Sequence, residues 1–238
     1  MSRPLGRTNP GYVERRQALA RAVLPALMGP AGTAVSLRSL ADIAQVSVPT
    51  LRHYFGDRTG VVAAALQEVR RMGAGAIHQG ATVERGPPGP SLRWFLDELV
   101  LGFLHSPMGR LLGAGLAHGL SEPALGPVVV TEILEPTLGA VEARVAAHQA
   151  RGELPPTLCA RSLALALVSP VLLALLHQGP LGGAACRPLD LPAFVDAHWS
   201  RFLGGWPEVA ATAHLPTPPA TPLGRHAAGG LTRPTPEG

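Results

Sequence analysis

The side chains best suited to chemistry are concentrated between Ser36 and Arg58. This stretch holds the hydroxyls of Ser36, Ser47 and Thr50, the guanidiniums of Arg52 and Arg58, the His53 imidazole and the Tyr54 phenol. Compact Val48, Pro49 and Thr50 stand at the start of a short helical pattern, where a backbone can lie close to the floor of a DNA groove. Val48 and Pro49 can touch a thymine methyl, and Thr50 can hydrogen-bond a base edge or a phosphate. Arg52 and His53 follow on the exposed side, and Arg52 can reach guanine or a phosphate oxygen. Ser36 sits at a helix start, where a hydroxyl and free N–H groups attract phosphate. Arg58 opens the next helix as a second phosphate clamp. Phosphate contacts of this kind position a protein, and base-edge contacts specify the sequence.

These groups need two short helices to hold them. Ser36 suits the N-cap of a helix over about 37–44, whose Leu37, Leu40, Ala41 and Ala44 share one side. Ser47 caps the next helix, with Pro49 in its first turn and Leu51 facing inward. Two helices joined this way form a unit whose second member can enter the major groove. A first helix over about 10–28 lines Leu19, Ala20, Val23, Leu24 and Leu27 along an apolar stripe, with Val13 at its start and Pro25 as a potential kink. A fourth helix runs from Arg58 to about Ala76. The same pair of short helices also occurs in helical proteins that never meet DNA.

Charge favours the nucleic-acid reading. Residues 1–72 carry ten Arg against four acids (Glu14, Asp42, Asp57, Glu68), a net +6 within a chain whose total is +4. The basic N-terminal part therefore coincides with the two-helix motif and suggests a polyanion partner at that end.

Over residues 40–58 the sequence resembles the DNA-binding domain of TetR-family transcriptional regulators. Leu40-Ala41, Val46-Ser47, Thr50-Leu51 and Tyr54-Phe55 match the family pattern, Arg58 stands where the family has Lys, and Ser36 falls where it has a phosphate-contacting Thr or Ser. The resemblance covers about residues 13–73. Two departures stand out: Gln45 replaces the turn glycine, and Arg52 replaces a tyrosine that packs on the DNA backbone. The resemblance implies an all-α homodimer with a three-helix helix-turn-helix head, followed by a helical effector-binding and dimerisation domain, about nine helices in all. It also implies a double-stranded DNA operator and a small-molecule effector, with the last two helices forming the dimer interface.

The rest of the chain supports that layout. Gly86-Pro87-Pro88-Gly89-Pro90 is a loop that separates a head over 10–76 from a body over 90–206. The body reads as helices near 91–105, 107–119, 123–150, 156–178 and 191–204. Residues 1–9 form a basic arm, and residues 207–238 a Pro-rich tail with little to bury. Between Leu163 and Leu176 the apolar side chains encircle one helix, which calls for burial on every side. Phe194, Val195, Trp199 and Phe202 add a stripe on the last helix. Candidate effector-pocket residues are Trp94, Phe95, Phe103, His105, Met108, His118 and His177, in surroundings that suit an apolar effector, and Gly113–Ala117 is small enough to leave room.

Enzyme chemistry finds no foothold. The nine His are scattered, no Lys exists to complete a phosphate-binding loop, and no Gly-x-Ser-x-Gly occurs. Glu132 and Glu135 read as a solvated pair. No cofactor or metal is expected. A helix between Cys159 and Cys186 separates them by roughly 28 Å, too far for a disulfide. The start lacks a signal-peptide pattern, and the longest apolar run is too short for a bilayer, so the chain reads as soluble, cytoplasmic and without a membrane partner. The function expected is a DNA-binding regulator, most simply a repressor. The alternatives are an activator, or a ligand-binding or protein-interaction module of the same fold with weakened or lost DNA binding.

Overall fold

A computed structural model describes residues 10–83 and 86–213; the expected basic arm and the expected tail beyond Ala213 lie outside the described residues. Among the described residues every regular element is helical. The head begins with α1 (Pro10–Leu27), passes a 3-10 turn at Gly32–Ala34, and continues with α2 (Leu37–Ile43), α3 (Val48–Phe55) and α4 (Arg58–Ala81). The apolar row expected on α1 is buried, except that Val13 is exposed. α1 runs on through Pro25. Leu24, Leu27, Leu40, Leu51, Val62 and Leu66 meet in one core. Emptying such a position to alanine costs about 2–5 kcal/mol, so α2 and α3 are held by packing rather than by their own short length.

Two residues make the corner between α3 and α4. Gly56 has φ of 80°, where a side chain is strained, and a Cβ on Gly60 would overlap the Phe55 carbonyl. Asp57 then accepts a hydrogen bond from the Gly60 N–H at 2.8 Å, which starts α4 sharply.

The division into compact units differs from the one expected at residues 86–90. One unit takes the residues up to Arg71 together with Arg110–Glu135; the other takes Met72–Gly109 and the residues from Pro136 on. The boundary therefore falls inside α4. The reason is packing: Leu125 and Val129 enter the same core as Leu27, Leu40 and Leu51. These residues follow α6 (Met108–Ser121), on a 3-10 turn at Pro123–Leu125 and on α7 (Gly126–Val129). A π-helical turn at Val130–Leu134 leads into α8 (Glu135–Ala150). Glu132, expected in solvent, has a largely buried side chain paired with Arg70 at 3.5 Å.

The second unit contains α5 (Pro88–His105), α8, α9 (Ala160–Gln178), α11 (Leu191–Gly205), and two short turns of helix, α10 (Gly183–Cys186) and α12 (Pro207–Ala210). The first residues of the tail expected from Pro207 are instead packed. Val209 of α12 is fully buried, and the Gly89 N–H donates to Thr212 Oγ1 at 2.8 Å. Buried Arg144 of α8 donates to the carbonyls of Gln79, Gly80 and Thr82 and to Ser91 Oγ, while its guanidinium lies 4.8 Å from the centre of the Trp94 ring. Carbonyls at the end of α4 lack partners within the helix, and they explain a buried cation here. Burial lowers Arg144 to about 10.

Within one chain the apolar circumference of α9 is only partly buried. Leu163, Leu167, Val168, Val171 and Leu175 are buried, but Leu165 and Leu173 stand 40% and 66% exposed. α9 is also longer than its apolar run. At 19 residues with mean hydropathy 1.7 it is long and apolar enough to cross a membrane, as is the 28-residue stretch Pro123–Ala150. That overturns the expectation drawn from length. Cys159 and Cys186 are both free and exposed.

Candidate nucleic-acid interface

The capping hydroxyls build the reading pair. Ser36 Oγ accepts the Ser39 N–H at 3.1 Å, and Ser47 Oγ accepts the Thr50 N–H at 3.2 Å while pairing with Thr50 Oγ1 at 2.8 Å. Each cap contributes about 1 kcal/mol. Between the helices the chain turns through Gln45, whose φ is 53°, the only positive φ at a non-glycine among the described residues. The Val46 N–H donates to the Ala41 carbonyl at 3.0 Å and the Gln45 N–H to the Asp42 carbonyl at 3.1 Å. This paired closure is the Schellman arrangement, with Gln45 in the place that usually takes glycine. The turn therefore forms despite the substitution.

On α3, Leu51 is fully buried and anchors the helix. Pro49, Arg52 and His53 are exposed, and Val48, Thr50, Tyr54 and Phe55 are half-buried. The Arg52 side chain makes no hydrogen bond or ion pair among the described residues, so its charge is available. Ser36 and Ser47 are exposed, with one side of each hydroxyl engaged in its cap. Tyr54 stacks on Tyr12 of α1 at 4.8 Å between ring centres, and Arg16 lies 5.2 Å over the Phe55 ring.

The Arg58 guanidinium, expected on a phosphate, is engaged by carbonyls and a carboxylate of the protein itself. Its Nε donates to the Val35 carbonyl at 2.7 Å, and Nη2 donates to the carbonyls of Thr33 at 2.7 Å and Gly32 at 3.1 Å. Nη1 pairs with Glu122 at 3.2 Å, and Thr59 Oγ1 donates to the same carboxylate. The guanidinium ties the α1–α2 connection, just ahead of the Ser36 cap, to the end of α6. Sequence reasoning placed it at the surface because its partners lie far away along the chain.

Sequence reasoning also passed over two residues at this surface. Arg38, in the first turn of α2, is exposed and its side chain makes no hydrogen bond or ion pair among the described residues. Tyr12 touches α3 directly. One signal was available for it: the chain holds only two Tyr, and both sit in the basic head.

Of the seven proposed effector contacts, six fall in one compact unit and His118 in the other. Trp94, Phe95 and Phe103 lie on α5, with Phe95 and Phe103 buried. His105 and Met108 are exposed, and His177 is exposed with its Nδ1 accepting from Gln178 Nε2 at 2.7 Å. His118 belongs to the other compact unit, where it is buried and its Nε2 donates to the Leu27 carbonyl at 2.9 Å. It fastens α6 to the end of α1. Among the described residues no group of three or more His, Cys, Asp or Glu could hold a metal ion.

A basic, exposed α3 held behind a capped α2 defines a helix-turn-helix head on a larger helical chain. That architecture recurs in solved structures of TetR-family transcriptional regulators. A putative family member from Mesorhizobium loti matches with a TM-score of 0.61 at 16% identity, covering 83% of this chain and 98% of its own. A regulator from Agrobacterium tumefaciens gives 0.58 at 21%, covering 86% and 100%. FadR of Thermus thermophilus, a TetR-family repressor solved with lauroyl-CoA, gives 0.58 at 17%, covering 80% and 94%. The chain has the TetR-type regulator fold. No protein-family model and no curated protein matches the sequence.

Proposed function

We propose that this chain is a sequence-specific DNA-binding transcriptional regulator of the TetR type, a cytoplasmic repressor rather than an enzyme, released by a small effector. The observation that carries this is α3 itself. Its exposed side presents Pro49, Arg52 and His53, with compact Val48 and Thr50 ahead of them, on a helix whose other side is anchored by Leu51. Neither departure from the family pattern removes this geometry: Gln45 closes the turn, and Arg52 replaces an aromatic backbone contact with a mobile charge. Ser36, Ser47, Thr50 and Tyr54 border the same surface.

The regulator acts as a homodimer through α9 and α11. The exposed Leu165 and Leu173 of α9 support this, because a soluble chain covers such a stripe with a partner. A two-fold dimer then presents two α3 helices to two half-sites. The effector binds in the helical body, as lauroyl-CoA accompanies the T. thermophilus FadR.

The test is retardation of the DNA upstream of the gene by purified protein across a salt series. Binding that weakens steeply as salt rises supports the reading. No retardation of that fragment or of fragmented genomic DNA at about 50 mM salt rejects it and leaves a ligand-binding or protein-interaction module. The dimer has its own check: the wild type should run at twice 24.7 kDa in light scattering, and Leu173→Arg should run as the monomer. An unchanged mass places the interface elsewhere.

A further inference from the structure

We infer that Tyr12, in the first turn of α1, is a positioning residue of the DNA-reading surface, holding His53 and Tyr54 in place on α3; this rests on the DNA-reading role proposed above. Three rings close a triangle. Tyr12 stacks on Tyr54 at 4.8 Å with 29° between planes, meets His53 edge-on at 5.8 Å and 85°, and His53 meets Tyr54 edge-on at 5.1 Å and 79°. These are the offset-stacked and T-shaped arrangements that aromatic pairs prefer.

The arrangement answers a geometric problem. His53 and Tyr54 are neighbours on a helix, so their side chains leave it about 100° apart. A ring from another element is needed to touch both at once, and α1 supplies it. His53 is exposed, and an exposed imidazole turns freely about its side-chain bonds. Contact with Tyr12 restricts it before DNA arrives, and such preorganisation favours binding by removing an ordering cost. Tyr12 is half-buried, and its hydroxyl makes no hydrogen bond among the described residues. The ring is therefore the part engaged.

The experiment measures affinity of the full-length protein for its own upstream fragment and for a scrambled fragment of equal length. Tyr12→Phe keeps the triangle and should bind like the wild type. Tyr12→Leu keeps apolar bulk without the ring, and should lower the ratio of specific to scrambled affinity by about twofold to tenfold, the factor an aromatic pair contributes. The salt slope should stay unchanged, because no charge is lost. In a double-mutant cycle, Tyr12→Leu and His53→Ala should be non-additive, which a generally weakened fold would not produce. Additive effects, an unchanged ratio in Tyr12→Leu, or a Tyr12→Phe loss as large as that of Tyr12→Leu would each overturn the inference, the last by assigning the hydroxyl a direct DNA contact. Failure of the unmodified protein to bind any DNA refutes the DNA-reading role itself, and this inference with it. Wild-type binding with an indifferent Tyr12→Leu refutes only the inference.

Discussion

Gln45→Gly should stabilise the head, against the usual direction of a substitution to glycine. Gln45 occupies the left-handed region with φ of 53°, which costs an L-residue about 1–2 kcal/mol. Its side chain is exposed and makes no hydrogen bond among the described residues, so removing it forfeits no contact. The N–H that bonds the Asp42 carbonyl at 3.1 Å is retained by glycine. Against the relief stands the extra freedom that glycine gives the unfolded chain, about 0.5–1 kcal/mol. The balance is a gain of about 0.5–1 kcal/mol, or roughly 1–4 °C in Tm for a chain of this size. Thermal unfolding followed by circular dichroism measures the gain. Slower exchange of the Val46 amide, which bonds the Ala41 carbonyl at 3.0 Å, localises it to the turn. A Tm that falls or stays level would refute the strain argument. DNA affinity should stay within about twofold, because the turn geometry is already formed with glutamine present; a tenfold rise would mean that Gln45 distorts the head.

The other predictions separate roles that resemble each other in sequence. Arg58→Ala should lower stability by about 2–3 kcal/mol, since it strips a charged donor from three loop carbonyls and from Glu122, and it should leave the salt slope of DNA binding unchanged; a slope reduced by about one would return Arg58 to the phosphates. Arg52→Ala should weaken specific binding by about 1–3 kcal/mol with little change in Tm, and equal affinity would remove it from the interface. Acid should destabilise the second unit through His148, which is fully buried with Nδ1 2.6 Å from Glu153. Burial holds His148 below its ordinary 6.5, so below that pH the unfolded chain takes up a proton that the folded one refuses, and stability falls. Burial pushes Glu153 up, but Arg151 and His148 outweigh it and hold its carboxyl below 4.5, which adds a second loss under that pH. The urea midpoint should drop between pH 7.5 and 5.5 in the wild type and drop less in His148→Gln; equal slopes would assign the effect to another group.

How far these roles could be read from sequence depends on the distance to each partner along the chain. The head was readable because its instructions are local. Ser36 and Ser47 cap helices three residues away, Gly56 turns the corner next to α3, and the apolar spacing of α1 and α2 marks their buried sides directly. The strained turn at Gln45 was equally readable, since a Schellman closure involves only residues 41–46. Arg58, His118 and Arg144 were not readable, because their partners lie 23 to 64, 91 and 53 to 65 residues away. An arginine at the start of α4 looks the same in sequence whether it meets phosphate or a ring of carbonyls. The compact units differ from the division expected at residues 86–90 for a related reason: a Pro-Gly loop marks where the backbone turns, whereas the units are set by Leu125 and Val129 reaching the core of α1 to α4.

The apolar circumference of α9 poses the same problem between chains. Composition reports that nearly every side chain from Leu163 to Leu176 seeks burial, but it does not divide them between the chain's own core and a second copy. Within one chain Leu167, Val171 and Leu175 are satisfied while Leu165 and Leu173 are not. If those two remained in water, the unburied Leu173 alone would forgo most of the roughly 1.5–3 kcal/mol that covering a leucine returns. A helix that is apolar on both sides, but buried by its own chain on one, is therefore a stronger argument for a partner than one whose surplus is absorbed within the fold. For the same reason Leu173→Arg is the sharper probe of assembly: it places a charge where the monomer tolerates it and the dimer does not.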